Sequence, residues 1–148
     1  MGYTHYWRRR YKEEPIEKWR CFIKDVEKAY EYINEKYHIG GKLSVNDHEV
    51  FYEPEEPGET LYIARRVPKP LIPELWCFNF CKTNRYSYDT FVCVVLLLAA
   101  YHFDDFEVST DGDYLDWEDA IEIFAELFPS YKCRIDVKKY KVIVEKVS

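Results

Sequence analysis

The 148-residue sequence contains no glutamine and a single methionine, while glutamate, lysine, tyrosine and isoleucine are abundant. Depletion of thermolabile side chains with lysine and glutamate enriched is the compositional pattern of hyperthermophile proteins, so a thermophilic source, or a virus of one, is expected. A basic excess is missing as well. The net charge is −6 and the pI near 5.3, and the only dense cationic run is Arg8, Arg9, Arg10 and Lys12. Glu13 and Glu14 follow at once. That run is therefore expected to be a solvated strand end, and duplex nucleic acid is not an expected partner. The longest apolar run, Phe91 to Tyr101, falls short of the ~20 residues a bilayer span needs and reads as a buried helix. The first residues are polar and aromatic, unlike a secretory leader. The five cysteines (Cys21, Cys77, Cys81, Cys93, Cys133) are odd in number and scattered, which fits reduced thiols better than a disulfide framework. Together these absences predict a soluble, cytoplasmic protein with no membrane partner.

Common catalytic signatures are also absent. There is no Walker-type phosphate loop, no dinucleotide fingerprint and no Gly-x-Ser-x-Gly elbow. Paired His-x-Ser/Thr motifs do not occur. Cys77 and Cys81 have no second pair at zinc-finger spacing, and His38, His48 and His102 fall in different elements. No metal or cofactor is expected on these grounds.

What is present fills a core. Apolar residues make up 47% of the chain and aromatic residues 18%, enough for one domain of this length. A strand is expected across Gly2–Tyr11, with Tyr3, His5 and Trp7 on one face and Thr4, Tyr6 and Arg8 on the other. Pro15 opens a long amphipathic helix whose stripe is Ile16, Trp19, Ile23, Val26, Tyr30, Ile33 and Tyr37, ended by Gly40-Gly41. Short strands follow at Leu43–Val45, Glu49–Tyr52 and Leu61–Val67, and Pro68, Pro70 and Pro73 mark an irregular crossing. Leu75–Cys81 reads as a buried strand, Tyr88–His102 as a helix buried on every side and Phe106–Ser109 as a strand. A helix then carries Trp117, Ala120, Ile121, Phe124, Leu127 and Phe128 on one face, before a hairpin turning at Lys138-Lys139. The expected fold is a single α+β domain over residues 1–148. It is a mixed β-sheet packed by about three helices, in the order β-α-β-β-β-α-β-α-β-β.

Two segments share a strand–loop–helix design: Phe80 to Asp89 and Val108 to Trp117. Free N–H groups at a helix start attract anions, and Lys82, Thr83 and Arg85 on the preceding loop would suit a phosphate or carboxylate. If the two preceding strands run parallel, both loops open at one sheet edge, where ligands gather. Asp89 and Asp111 would then meet Lys82 or Arg85, with His5 in reach. Plainer roles fit the same residues. Ser87 or Asp89 and Asp113 or Asp116 would cap the helices, Lys82 and Arg85 would pair with those acids, and Thr110-Asp111-Gly112 would be a turn. His5 would be a packed core histidine. Cys81 beside Lys82 is either an activated nucleophile or a buried thiol.

Met1-Gly-Tyr-Thr-His-Tyr-Trp7, Phe80-Cys-Lys-Thr83 with Tyr88-Asp89, and Asp111-Gly112 with Asp116-Trp117 resemble a small family of bacterial and phage proteins with no established activity. Its members begin with the same heptad and continue with Phe-Cys-Lys-Thr, Pro-Tyr-Asp and Ser-Asp-Gly. Ser87 and Thr110 stand where proline and serine are expected. The resemblance implies that His5, Lys82, Thr83, Asp89, Asp111 and Asp116 belong together, and it points to a mobile-element or viral origin.

Three functions follow as expectations. The first is a binding module for a small anionic ligand, a nucleotide or phosphorylated metabolite. Lys82 and Arg85 would hold the anion, Thr83 would donate, Asp111 or Asp89 would orient the cations, Asp116 would belong to the binding site, and Tyr3, Tyr88 or Trp117 would stack a base. The second is a metal-dependent hydrolase or nuclease, with His5 as general acid/base and Asp89, Asp111, Asp113 and Asp116 around the ion. The third is a viral factor that disables a host protein.

Overall fold

A computed structural model describes residues 2–72 and 75–147; Met1 of the opening heptad and Pro73 of the proline crossing lie outside them. Strand β1 (Thr4–Arg9) leads to helix α1 (Ile16–Tyr37), then to strands β2 (Lys42–Val45), β3 (Glu49–Glu53), β4 (Leu61–Ala64) and β5 (Cys77–Lys82). Helix α2 (Asp89–His102), strand β6 (Phe106–Thr110), helix α3 (Tyr114–Leu127) and the hairpin β7 (Cys133–Lys138) and β8 (Lys141–Lys146) complete the chain. This is a single α+β domain with three helices and eight strands.

Four strands lie between α1 and α2, matching the four segments read in the sequence rather than the three of the expected order, and the strands form two antiparallel sheets in place of one mixed sheet. The meander β2-β3-β4 forms a separate three-stranded antiparallel sheet. The larger sheet has the order β5-β1-β6-β8-β7. Both β5 and β6 pair antiparallel with β1, which lies between them. They therefore run in the same direction without touching, and the loops after them emerge at one edge, beside Thr4 and His5.

Helix α1 covers the expected span, but its buried face is Trp19, Phe22, Val26, Ala29 and Ile33, while Tyr37 is exposed. It ends before the glycines. His38 takes the left-handed cap conformation at φ 54°, and Asn34 Oδ1 accepts the Gly40 N–H. Helix α2 is buried from Phe91 through Ala99. It lies against α1, α3, β6 and β8, and Tyr52 of β3 meets Phe91 edge-on at 5.1 Å. An all-apolar helix requires such burial on every side.

Residues of β1 alternate as their sequence requires: His5, Trp7 and Arg9 face the helices, and Tyr6 and Arg8 face outward. Arg9 does not end in solvent. It is buried, pairs with Glu14 at 3.2 Å and donates to the Ala64 carbonyl at 2.6 Å. Strand β5 also departs from expectation. Phe78 is 61% exposed and Phe80 55%, because no layer covers the outer face of the larger sheet. An apolar composition suggested burial, but within β5 only Cys81 is fully buried, its thiol against the Glu59 and Thr60 carbonyls.

Candidate functional site

The edge formed by the starts of β1, α2 and α3 gathers the polar residues singled out in the sequence. Thr4 and Lys82 are register partners, as are His5 and Thr110. Thr110, read as a turn residue, is the last residue of β6, and its hydroxyl organises the centre. It accepts N–H bonds from Trp117 Nε1 (3.1 Å) and Gly112 (3.0 Å). Both lone pairs are then used, so its hydrogen points at His5 Nδ1, 2.8 Å away. His5 consequently carries its proton on Nε2 and donates to Asp89 Oδ1 at 2.7 Å. Thr83 donates to the same oxygen, and the Cys93 thiol to Asp89 Oδ2 at 3.7 Å. Asp89 occupies the first turn of α2, where the helix dipole favours its charge.

The cluster is closed. His5, Thr83 and Trp117 are fully buried, and both His5 nitrogens are engaged. Thr83 has no donor left for a ligand. Trp117 and Tyr88 are likewise sealed, with the Tyr88 hydroxyl donating to the Glu59 carbonyl at 2.7 Å. Tyr3 is 4% exposed, and burial together with the Asp89 charge pushes its hydroxyl above the usual tyrosine range. These rings form the wall of the core and present no face for stacking a base.

His5, Asp89 and Cys93 place one donor atom each within 4.8 Å of one another, the only such trio among the described residues. As a metal centre the trio would have to lose the Cys93 proton, and full burial holds that thiol well above its ordinary range. It would also have to free His5 Nε2 by placing a proton on Nδ1, against a threonine oxygen that already accepts twice. The sulfur approaches the Nε2 atom that Asp89 already holds, at 3.5 Å, so the three do not form a nucleophile–base–orienter relay either. Cys81 is also a buried thiol rather than a nucleophile: burial, with Glu59 and Asp89 nearby, pushes it up to about 12. A thiol reagent at pH 8 is therefore expected to modify exposed Cys21 quickly and to reach Cys81 and Cys93 only on unfolding. Peptide mapping after brief labelling checks this.

Around the closed centre the cap assignment holds for α3 and not for α2. Asp113 and Asp116 form a reciprocal capping box at the start of α3. Burial pulls the Asp116 carboxyl upward, but its pairing with Arg85 and the capping N–H outweigh it and hold it below its usual range. Arg85 stacks on Tyr3 at 3.9 Å. It follows Asn84 in a turn where both residues have positive φ (54° and 62°), closed by the Tyr86 N–H donating to the Thr83 carbonyl. Asp111 accepts from the Thr4 N–H and the Tyr6 hydroxyl, each at 3.0 Å. Ser87 donates to Glu56 and does not cap α2. Lys82 is different. It is exposed and has no ion-pair partner among the described residues.

From Lys82 the outer face of the larger sheet is open. Register places Phe80 opposite Tyr6 and Phe78 opposite Arg8, with the Tyr6 and Phe78 rings 5.8 Å apart. Trp76, just before β5, lies between Arg8 (4.5 Å) and Arg10 (4.1 Å). Strands β6 and β8 pair only at Val108–Val142 and Ser109–Lys141. Beyond those pairs a cleft of about 620 Å³ opens, lined by Trp7, Phe78, Phe106 and Ile143 among others. Trp7 is 2% exposed, and its indole N–H has no hydrogen-bond partner. Sequence reasoning missed this face. The available signal was the alternation Trp76, Phe78, Phe80, Lys82 against Arg10, Arg8, Tyr6.

No family model, curated protein or solved structure matches this chain. No helix among the described residues is long and apolar enough to cross a membrane.

Proposed function

We propose that the protein is a binding module for an anionic, base-bearing ligand of the nucleotide class, received on the outer face of the five-stranded sheet. The observation that carries this reading is the bare row of Phe78, Phe80 and Tyr6 beside the unpaired Lys82. Exposed rings on a rigid sheet stack bases at little entropic cost, and a lone ammonium next to them takes the phosphate. Arg85 stands on the neighbouring turn, oriented by Asp116 and Tyr3. The stacking role assigned in the sequence to Tyr3, Tyr88 and Trp117 passes to Phe78 and Phe80, which are open to solvent.

Millimolar mononucleotide is expected to raise the melting temperature, with inorganic phosphate giving a smaller rise. At 100 times Kd the stabilisation is about 2.7 kcal/mol. Lys82→Ala and Phe80→Ala, both at exposed positions, should remove the response and keep the unliganded melting temperature. An equal response in the two variants overturns the assignment.

One observation favours the viral host-factor reading. Leu71 is fully exposed and Ile72 53% exposed on the proline-rich crossing, an apolar pair suited to a protein partner. That reading expects no nucleotide response and loss of partner capture in Leu71→Asp. A hydrolase at the closed cluster has less support, because His5 offers neither an open nitrogen nor a solvent path.

A further inference from the structure

We infer that the ligand is a stretch of single-stranded nucleic acid laid along β5 and β1, an inference that rests on the nucleotide-binding reading above. From Trp76 to Lys82 the outward positions of β5 are Trp76, Phe78, Phe80 and Lys82, a run of ~20 Å at the rise of a strand. A mononucleotide covers one ring and one cation, whereas this row offers two successive exposed rings, Phe78 and Phe80, with cations along it. Lys82 stands at one end, Arg8 beside the middle, and Arg10 over Trp76 at the other.

Charge is arranged to match. The chain as a whole carries −6, yet Lys82, Arg8 and Arg10 gather along the β5–β1 side of this face; across β7 and β8 the charges are mixed, with Lys138 paired to Asp136 at 3.4 Å and Arg134 opposite Glu145. The Arg8–Glu107 pair is solvent-exposed, with side chains 48% and 53% accessible, so a phosphate can compete for the guanidinium at small cost. A polyanion backed by flat rings is the partner that such a surface complements.

Flat, exposed rings also decide between single and double strands. Stacking on Phe78 and Phe80 needs bases whose faces are free, and in a duplex those faces are covered. The cleft between β6 and β8 adds a place for one base turned out of the row. It borders Phe78, and Trp7 lines it with an indole N–H that has no partner among the described residues. A base carbonyl or ring nitrogen would satisfy that donor.

The test is fluorescence anisotropy with end-labelled oligouridine and oligothymidine of one, two, four and eight nucleotides, and an eight-base-pair duplex, at low and moderate salt. Affinity is expected to rise steeply up to about four nucleotides and then level off. It should fall with salt, and the duplex should bind more weakly than either single strand. Phe78→Ala and Phe80→Ala should each weaken the four-nucleotide ligand by about tenfold, the loss of one stacked base. Melting curves of the variants establish that they fold. Mononucleotide binding without any gain with length overturns the single-strand inference and leaves the nucleotide reading standing. No binding of any nucleotide overturns both. Duplex binding as tight as single-strand binding, or unchanged affinity in the two phenylalanine variants, overturns the placement. So does a concentration-dependent dimer that the phenylalanine variants abolish, because the face would then belong to a second copy of the chain.

Discussion

Asp89→Ala is expected to lower the unfolding free energy by about 3–5 kcal/mol, because three donors lose their acceptor at about 1–3 kcal/mol each. The carboxylate accepts from His5 Nε2, Thr83 and the Cys93 thiol, and all three donors would be left inside the protein unpaired. The loss would not stop there. His5 is fixed in its tautomer by Thr110, whose oxygen is already taken by Trp117 and Gly112, so the ring cannot turn its proton elsewhere. Because domains of this size are stable by only about 5–15 kcal/mol, the variant should melt far below the wild type. Asp89→Asn should cost less, since one amide oxygen still accepts, while its NH2 group opposes the donors on the other side. Urea unfolding of the two variants and of His5→Phe measures these terms. If Asp89→Ala were to cost under about 1 kcal/mol, the cluster would not be a structural keystone and a functional role would have to be reopened.

Alkali is expected to be the second strong perturbant. The Cys81 thiol, buried at the outer end of β5 with its hydrogen directed to the Thr60 carbonyl at 3.4 Å, is pushed up to about 12 from an ordinary value of 9.0. Full burial raises Cys93 as well, and burial raises the Tyr52, Tyr88 and Tyr131 hydroxyls above their usual range. In each case the folded state holds a proton that the unfolded chain gives up sooner. The stabilisation is therefore complete below about pH 9 and declines as the pH climbs toward the folded-state values. For Cys81 alone the loss is on the order of 4 kcal/mol by pH 12. Urea midpoints at pH 8, 9.5 and 11 should fall progressively, and Cys81→Ala should show a shallower fall. A midpoint that stays flat to pH 11 would contradict the burial of these thiols.

Much of the scaffold was legible because its signals are local. The stripe on α1, the uniform apolar run of α2 and the alternation of β1 each follow from one periodicity, and each element lies where that periodicity put it. Which residues meet at the sheet edge was legible too, since two strand–loop–helix segments shared a pattern. Three features depended on partners distant in the chain and were not legible. Whether β5 and β6 adjoin depends on where β1 inserts. Whether Phe78 and Phe80 are buried depends on whether a layer covers that face, and composition does not reveal a missing layer. Whether His5 is available for chemistry depends on the Thr110 hydroxyl, 105 residues away in sequence.

The burial of α2 limits how this fold can be divided. The helix supplies the one surface on which α1, α3 and the inner side of the larger sheet all rest. Strand β1 at the N-terminus pairs with strands on both sides of that helix in sequence. Cutting the chain before or after α2 leaves one fragment without a core and the other with a greasy rod bare to water. The molecule has no independent half, so it must be gained or lost as one cooperative unit.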